Sequence, residues 1–182
     1  MAVAEAKRLV DSSAPDFRQL VQAALVRGAR YGELALLRVS DFNADSGTVH
    51  VRTSKSGKGR HIVLGDEGIA VFRSFVTSKS GKVRLLARSD GTAWTQSLQA
   101  RPMAEACKCA KIEPEISFHV LRHTWASPAV MAGVPLLVVA RNLGHADTRM
   151  VEKHYGHLAP SYIVDAIRAS GPRFGIETDG IH

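Results

Sequence analysis

Four short stretches of this chain gather side chains able to grip a phosphate or move a proton. They are Gly28-Ala29-Arg30-Tyr31-Gly32-Glu33-Leu34, the basic turn Lys55-Ser56-Gly57-Lys58-Gly59-Arg60, Phe118-His119-Val120-Leu121-Arg122-His123-Thr124, and Leu143-Gly144-His145 followed by His154-Tyr155-Gly156-His157-Leu158. A guanidinium presents a planar fork that holds an oxyanion through two hydrogen bonds. An imidazole exchanges its proton near neutral pH. A phenol, whose pKa is ordinarily about 10, becomes a nucleophile once deprotonated. Taken singly, each stretch has an ordinary explanation. Arg30 and Glu33, three apart, make a helix-surface ion pair, and His-x-x-Arg-His is a polar helix face. His145 reads as a satisfied structural histidine, Tyr155 as a core tyrosine with its hydroxyl at the surface, and the basic turn as a solvated loop. It is their joint occurrence, in this order, that calls for a common account.

The totals narrow the partners. A chain of 182 residues with 45% hydrophobic content is long enough for one domain with its own core. Its 24 basic against 17 acidic residues leave a net charge of +7, the electrostatic footprint of a protein that binds a polyanion, nucleic acid first among them. Cys107 and Cys109 are the only cysteines and have no second pair with which to build a zinc site, so free thiols in a reducing cytoplasm are expected. No stretch approaches the roughly 20 apolar residues of a membrane span, and Met1–Lys7 lacks the apolar core of a secretory signal. A soluble, cytoplasmic protein is expected.

The elements that position these residues follow from periodicity. Phe17, Leu20, Val21, Ala24 and Leu25 recur at helical spacing behind Pro15, with Ser12 or Ser13 as a cap and Gly28 as the stop. A short second helix carries Leu34 and Leu37, and Val39–Gly47 reads as a loop rich in turn formers. Thr48–Arg52 and His61–Leu64 alternate with period two around the basic turn, which is a hairpin signature. Helical patterns are then predicted over 67–78, 96–110, 118–131, 135–142, 147–155 and 160–170. Arg84–Arg88 fits either a third short strand or an extended connection. The fold class is mainly α with one small antiparallel β-sheet (α+β). A single domain is expected over residues 1–175, with 176–182 as a flexible tail.

In their order, and over essentially the whole chain, the four stretches resemble the catalytic domain of the tyrosine recombinase, or phage integrase, family. The resemblance implies that family's catalytic-domain fold and a catalytic set of Arg30, Lys55, His119, Arg122, His145 and Tyr155, with Glu33 in support. It further implies an enzyme that needs no metal or other cofactor. Its partner would be double-stranded DNA, on which it would work as a tetramer, while the isolated domain could be monomeric. Tyr155 would attack a DNA phosphodiester to leave a 3′-phosphotyrosyl link, which another strand's 5′ hydroxyl reverses.

The chemistry suits these residue types. Negative charge builds on the non-bridging oxygens during attack, and Arg30 and Arg122 form a clamp for it. His119 is the expected acceptor of the phenol proton, and His145 the expected hydrogen-bond donor to the phosphate. Lys55 is the general-acid candidate for the leaving 5′ oxygen. Lys58 sits in the same turn, and the resemblance favours Lys55, whose distance from the second strand matches where the family places its lysine, which leaves Lys58 and Arg60 as phosphate contacts.

The resemblance also has gaps. The family carries a separate N-terminal helical domain to which nothing here corresponds, so the chain is expected to be a piece of a longer integrase or a shortened relative. Arg27 stands where threonine is common, Val120 replaces an acidic residue, and Pro128 is expected to kink or restart its helix near Ala126-Ser127. Three other readings compete. Ala132–Asp147 mimics a helix-turn-helix of a non-catalytic DNA-binding protein, and His119 with His123, joined by His154 or His157, suggests a zinc hydrolase. The third is a type IB topoisomerase, which uses closely similar tyrosine chemistry.

Overall fold

The computed structural model describes residues 1–52, 59–77, 79, 81–158, 164 and 167–172. Eight α-helices and three strands lie within them: α1 (Val3–Ser12), α2 (Pro15–Arg27), α3 (Tyr31–Ala35), β1 (Phe42–Asn43), β2 (Thr48–Val51), β3 (Arg60–Val63), α4 (Asp66–Val76), α5 (Ala100–Ala110), α6 (Phe118–Met131), α7 (Leu136–Leu143) and α8 (Arg149–Tyr155). The expected class, mainly helical with a small antiparallel sheet, is what the chain forms. None of these helices is long and apolar enough to cross a membrane.

Local chemistry accounts for most boundaries. Pro15 opens α2 at the position where its missing N–H costs nothing. Gly28 closes α2 in the left-handed region at φ +66°, its N–H donating to the Ala24 carbonyl. A Cβ at Gly28 would come within 2.8 Å of the Trp125 ring. Gly28→Ala is therefore expected to lower stability by about 2 kcal/mol, combining the left-handed penalty with the clash, as measured by urea unfolding.

The sheet runs in the order β1-β2-β3, with Phe42 opposite Val49 and His50 opposite His61. Val49, Val51 and Ile62 turn inward and are buried, while Val63 faces solvent, so the period-two pattern is the one-sided burial it suggested. β1 falls inside Val39–Gly47, expected to be loop. Arg84–Arg88 resolves as an extended connection with a single bridge, Arg38 to Arg84. Leu85 there donates its N–H to the Leu37 carbonyl, and Leu85 and Leu86 are both fully buried.

Two apolar clusters make up the interior. The larger spans Leu9 to Leu121 and gathers α1 to α5 with the start of α6, through Phe17, Leu20, Phe72 and Phe118. The smaller comprises Ala126, Val130, Val139, Ala140, Leu143, Val151 and Tyr155. Helix α6 therefore belongs to both. Pro128 does not interrupt it, contrary to expectation: the ring is exposed, while Ala126 and Val130 are buried on either side and hold the helix in register through packing. The chain also begins with a helix, α1, that periodicity misses because Leu9 is its only buried residue.

Candidate active site

Residues 119, 122 and 123 of α6 stand at i, i+3 and i+4, so His119, Arg122 and His123 share one helix face. Arg122 is buried at 4% exposure, and both terminal nitrogens of its fork are anchored by the protein. One terminal nitrogen donates to the Gly28 carbonyl at 2.9 Å. The other donates to the Leu143 carbonyl at 2.7 Å and lies 3.0 Å from His145 Nε2. Both carbonyls belong to the ends of helices α2 and α7, each followed or formed by a left-handed glycine, Gly28 and Gly144. Those two turns aim backbone acceptors at the guanidinium. Burial, followed by the charge of Arg30, lowers the Arg122 pKa to about 10.

Arginine has only donors, so His145 Nε2 accepts and its proton sits on Nδ1. The hydrogen bond that His145 can offer a phosphate is then from Nδ1. Burial, Arg122 and Arg30 together hold its pKa below the usual histidine value, which favours this neutral ring. His119 is exposed and is likewise held down by partial burial and by Arg122, Arg30 and His154.

Arg30 sits just before α3, with its side chain 33% exposed and one terminal nitrogen 3.1 Å from Glu33 Oε1. Glu33 is buried and is the hub of this corner. Its carboxylate also receives both terminal nitrogens of Arg60, at 3.1 and 2.9 Å. Arg60 was expected to contact phosphate; instead its fork is spent on a buried carboxylate and lies flat against Gly144, leaving the side chain 15% exposed. It braces Glu33, which in turn orients Arg30. Arg30 also lines a cleft of about 770 Å³ together with His119 and Arg122.

Burial alone would raise the Glu33 pKa, but hydrogen bonds and charge from Arg60, with the charges of Arg30 and Arg27, carry it below the usual carboxylate value. A depressed carboxylate contributes stability above its unfolded pKa, and that contribution is lost as the pH falls through the folded value. Glu33→Gln should thus cost about 3 kcal/mol at pH 7, since it strands buried guanidinium charge. The gap from the parent should close as the pH drops below about 4. Urea unfolding across that range measures it.

Arg27 was singled out in the sequence only as a departure from threonine. It is fully buried, with none of its three guanidinium nitrogens bonded among the described residues. Burial lowers its pKa to about 9 against the opposing charges of Glu33 and Asp41. Nothing in its sequence neighbourhood marks it, because an arginine in the last turn of a helix ordinarily faces water.

Tyr155 closes α8 and is 5% exposed. Its Oη is hydrogen-bonded to Nδ1 of His123. His119, the expected proton acceptor, stands one helical turn away, its ring edge-on to His123 with centroids 4.7 Å apart. The histidine in contact with the phenol is therefore His123, a residue the sequence offered only as a metal ligand. Burial raises the Tyr155 pKa, and Arg122 works against that rise.

Lys55 and Lys58 lie outside the described residues. Among those that are described, no three His, Cys, Asp or Glu side chains are arranged to hold a metal ion. Helix α7, the centre of the helix-turn-helix reading, buries Val139, Ala140 and Leu143 in the second cluster and gives its last carbonyl to Arg122.

The phage integrase family model matches residues 1–161. The integrase of Salmonella phage P22 is 30% identical over 191 residues, covering 94% of this chain and 46% of that protein. Tyrosine recombinase XerC of Xanthomonas campestris is 29% identical, covering 86% of this chain and 48% of the relative. The chain thus spans about half the length of these relatives. Among solved structures, the catalytic domain of bacteriophage HP1 integrase superimposes with a TM-score of 0.70 at 27% identity, covering 97% of this chain and 98% of that one. XerA recombinase superimposes at 0.74 with 26% identity, covering 96% and 66%. With the guanidinium pair, the histidine face and the tyrosine assembled at one seam, this chain belongs to the phage integrase family of tyrosine recombinases.

Proposed function

We propose that the chain cleaves and rejoins DNA strands at specific sites through a covalent bond to Tyr155. One observation carries this reading: α8 delivers the Tyr155 hydroxyl to the face of α6 that presents His119 and Arg122. Arg30, oriented by Glu33, and Arg122 hold the non-bridging oxygens and stabilise the charge that develops on them. His145 donates from Nδ1 to the same phosphate. As Oη bonds to phosphorus, the bond to the 5′ oxygen breaks with its electron pair, and that oxygen takes a proton, for which Lys55 is the donor proposed. The 3′-phosphotyrosyl bond keeps the free energy of the phosphodiester, so a 5′ hydroxyl reverses the step without ATP. The residues supply the charge and proton transfers themselves, so the reading calls for no metal. Double-stranded DNA is the partner, met in the cytoplasm by four copies acting together on two duplexes, while the free domain is monomeric. The net charge of +7 supports a polyanion.

The test uses duplexes enriched on the protein from a randomised pool and nicked close to the cleavage position, so that a short fragment diffuses away and traps the adduct. A covalent protein–DNA band on a denaturing gel supports the reading. Tight, selective binding with no band on any enriched duplex would favour a DNA-binding protein without strand transfer.

A further inference from the structure

The geometry points to His123 as the base that takes the phenol proton from Tyr155. This inference rests on the strand-cleaving role of Tyr155 and assigns its proton to a residue outside the set the sequence suggested. The Oη of Tyr155 bonds to Nδ1 of His123 and to no other described side chain. A neutral imidazole that accepts at Nδ1 carries its proton on Nε2, so the lone pair facing the hydroxyl is free to bind the proton it loses.

The surroundings keep the ring in that state. From its own helix, His119 and Arg122 face it; from α8, His154 faces it with ring centroids 5.9 Å apart, alongside Tyr155. Burial first, then these cationic or potentially cationic neighbours, holds the His123 pKa below the usual histidine value. The ring is therefore neutral at physiological pH and ready to accept. Burial also makes Tyr155 a weaker acid than a free tyrosine, so water by itself is a poor acceptor and a local base has more to contribute.

The step balances. The Oη–H bond breaks and Nδ1–H forms, giving an imidazolium. Oη supplies the electron pair for the new bond to phosphorus, and the bond from phosphorus to the 5′ oxygen leaves with its pair. On rejoining, Nδ1 returns the same proton to Oη. His119, more exposed and nearer the cleft lined by Arg30 and Arg122, is left to hydrogen-bond the phosphate.

Two measurements test this. In the free, isotopically labelled protein, the imidazole nitrogen shifts should place the His123 proton on Nε2, and a proton on Nδ1 would overturn the assignment without any variant being made. In single-turnover adduct formation on the nicked duplexes, wild type should slow on acidification as His123 is protonated. His123→Asn keeps an acceptor oxygen near the position of Nδ1 but cannot take a proton. It should be slower by roughly 100-fold or more at pH 7 with unchanged DNA affinity, and should lack the acid limb. His119→Asn should keep that limb. A His123→Asn protein within about threefold of wild type would reduce His123 to a hydrogen-bond partner. Failure of wild type to form any adduct would instead remove the strand-cleaving reading and this one with it, while the tautomer measurement would still report the bond.

Discussion

Tyr155→Phe is expected to form no covalent adduct with DNA while binding the same duplexes with an affinity within about threefold of wild type. The expectation follows from where the hydroxyl sits. The ring of Tyr155 packs in the smaller apolar cluster with Val151, Leu143 and Val139, and phenylalanine fills that space unchanged. The oxygen makes one described hydrogen bond, to His123, and its loss costs about 1 kcal/mol. The variant therefore folds, presents the same guanidinium pair to the phosphate, and lacks only the atom that attacks. Denaturing electrophoresis beside a binding titration reads both quantities. An adduct that survives would place the nucleophile on another residue.

Arg122→Lys should slow adduct formation by on the order of 1,000-fold and also lower stability by about 2 kcal/mol. The rate effect comes from replacing a planar fork with a single ammonium at the point where charge develops. The stability effect could not be read from the chain. Arg122 donates to the Gly28 and Leu143 carbonyls, which are 115 positions apart in sequence (143 − 28), and so ties the end of α2 to the end of α7. Lysine cannot reach both carbonyls and His145 at once. The two effects separate if adduct kinetics are run at a temperature where urea unfolding shows the variant fully native. Equal losses in cleavage and DNA affinity would deny Arg122 a role confined to the transition state.

The parts of this site visible in the sequence are those fixed by local pattern. The limits of α6 were legible because its helical pattern over 118–131 is local, and the helix runs from Phe118 to Met131. The β2–β3 pair was legible because alternation reports one buried face. What stayed hidden is the identity of partners across the fold. Arg60 reads in the sequence as part of the basic turn; β3 starts with it and its register puts it on the inward face with Ile62, and nothing local says that a buried Glu33 waits there to receive it. His119 and His123 are equivalent on a helical wheel, and only the approach of α8 decides which one meets the tyrosine. Pro128 was misjudged for a related reason: the cost of a missing backbone hydrogen bond is local, whereas the packing of Ala126 and Val130 that offsets it is tertiary.

The division of the interior into two clusters bears on how activity is lost. Small cooperative units of a protein open independently, each with its own free energy, and the cluster around Val139, Leu143 and Val151 is much the smaller of the two. Amide protons of α7 and α8 should exchange with solvent before those of α2. A chain with that half open retains Arg30 and Glu33 on intact structure but has released both the tyrosine and the Leu143 anchor of Arg122. On mild heating, competence for chemistry would disappear while most helical signal persists.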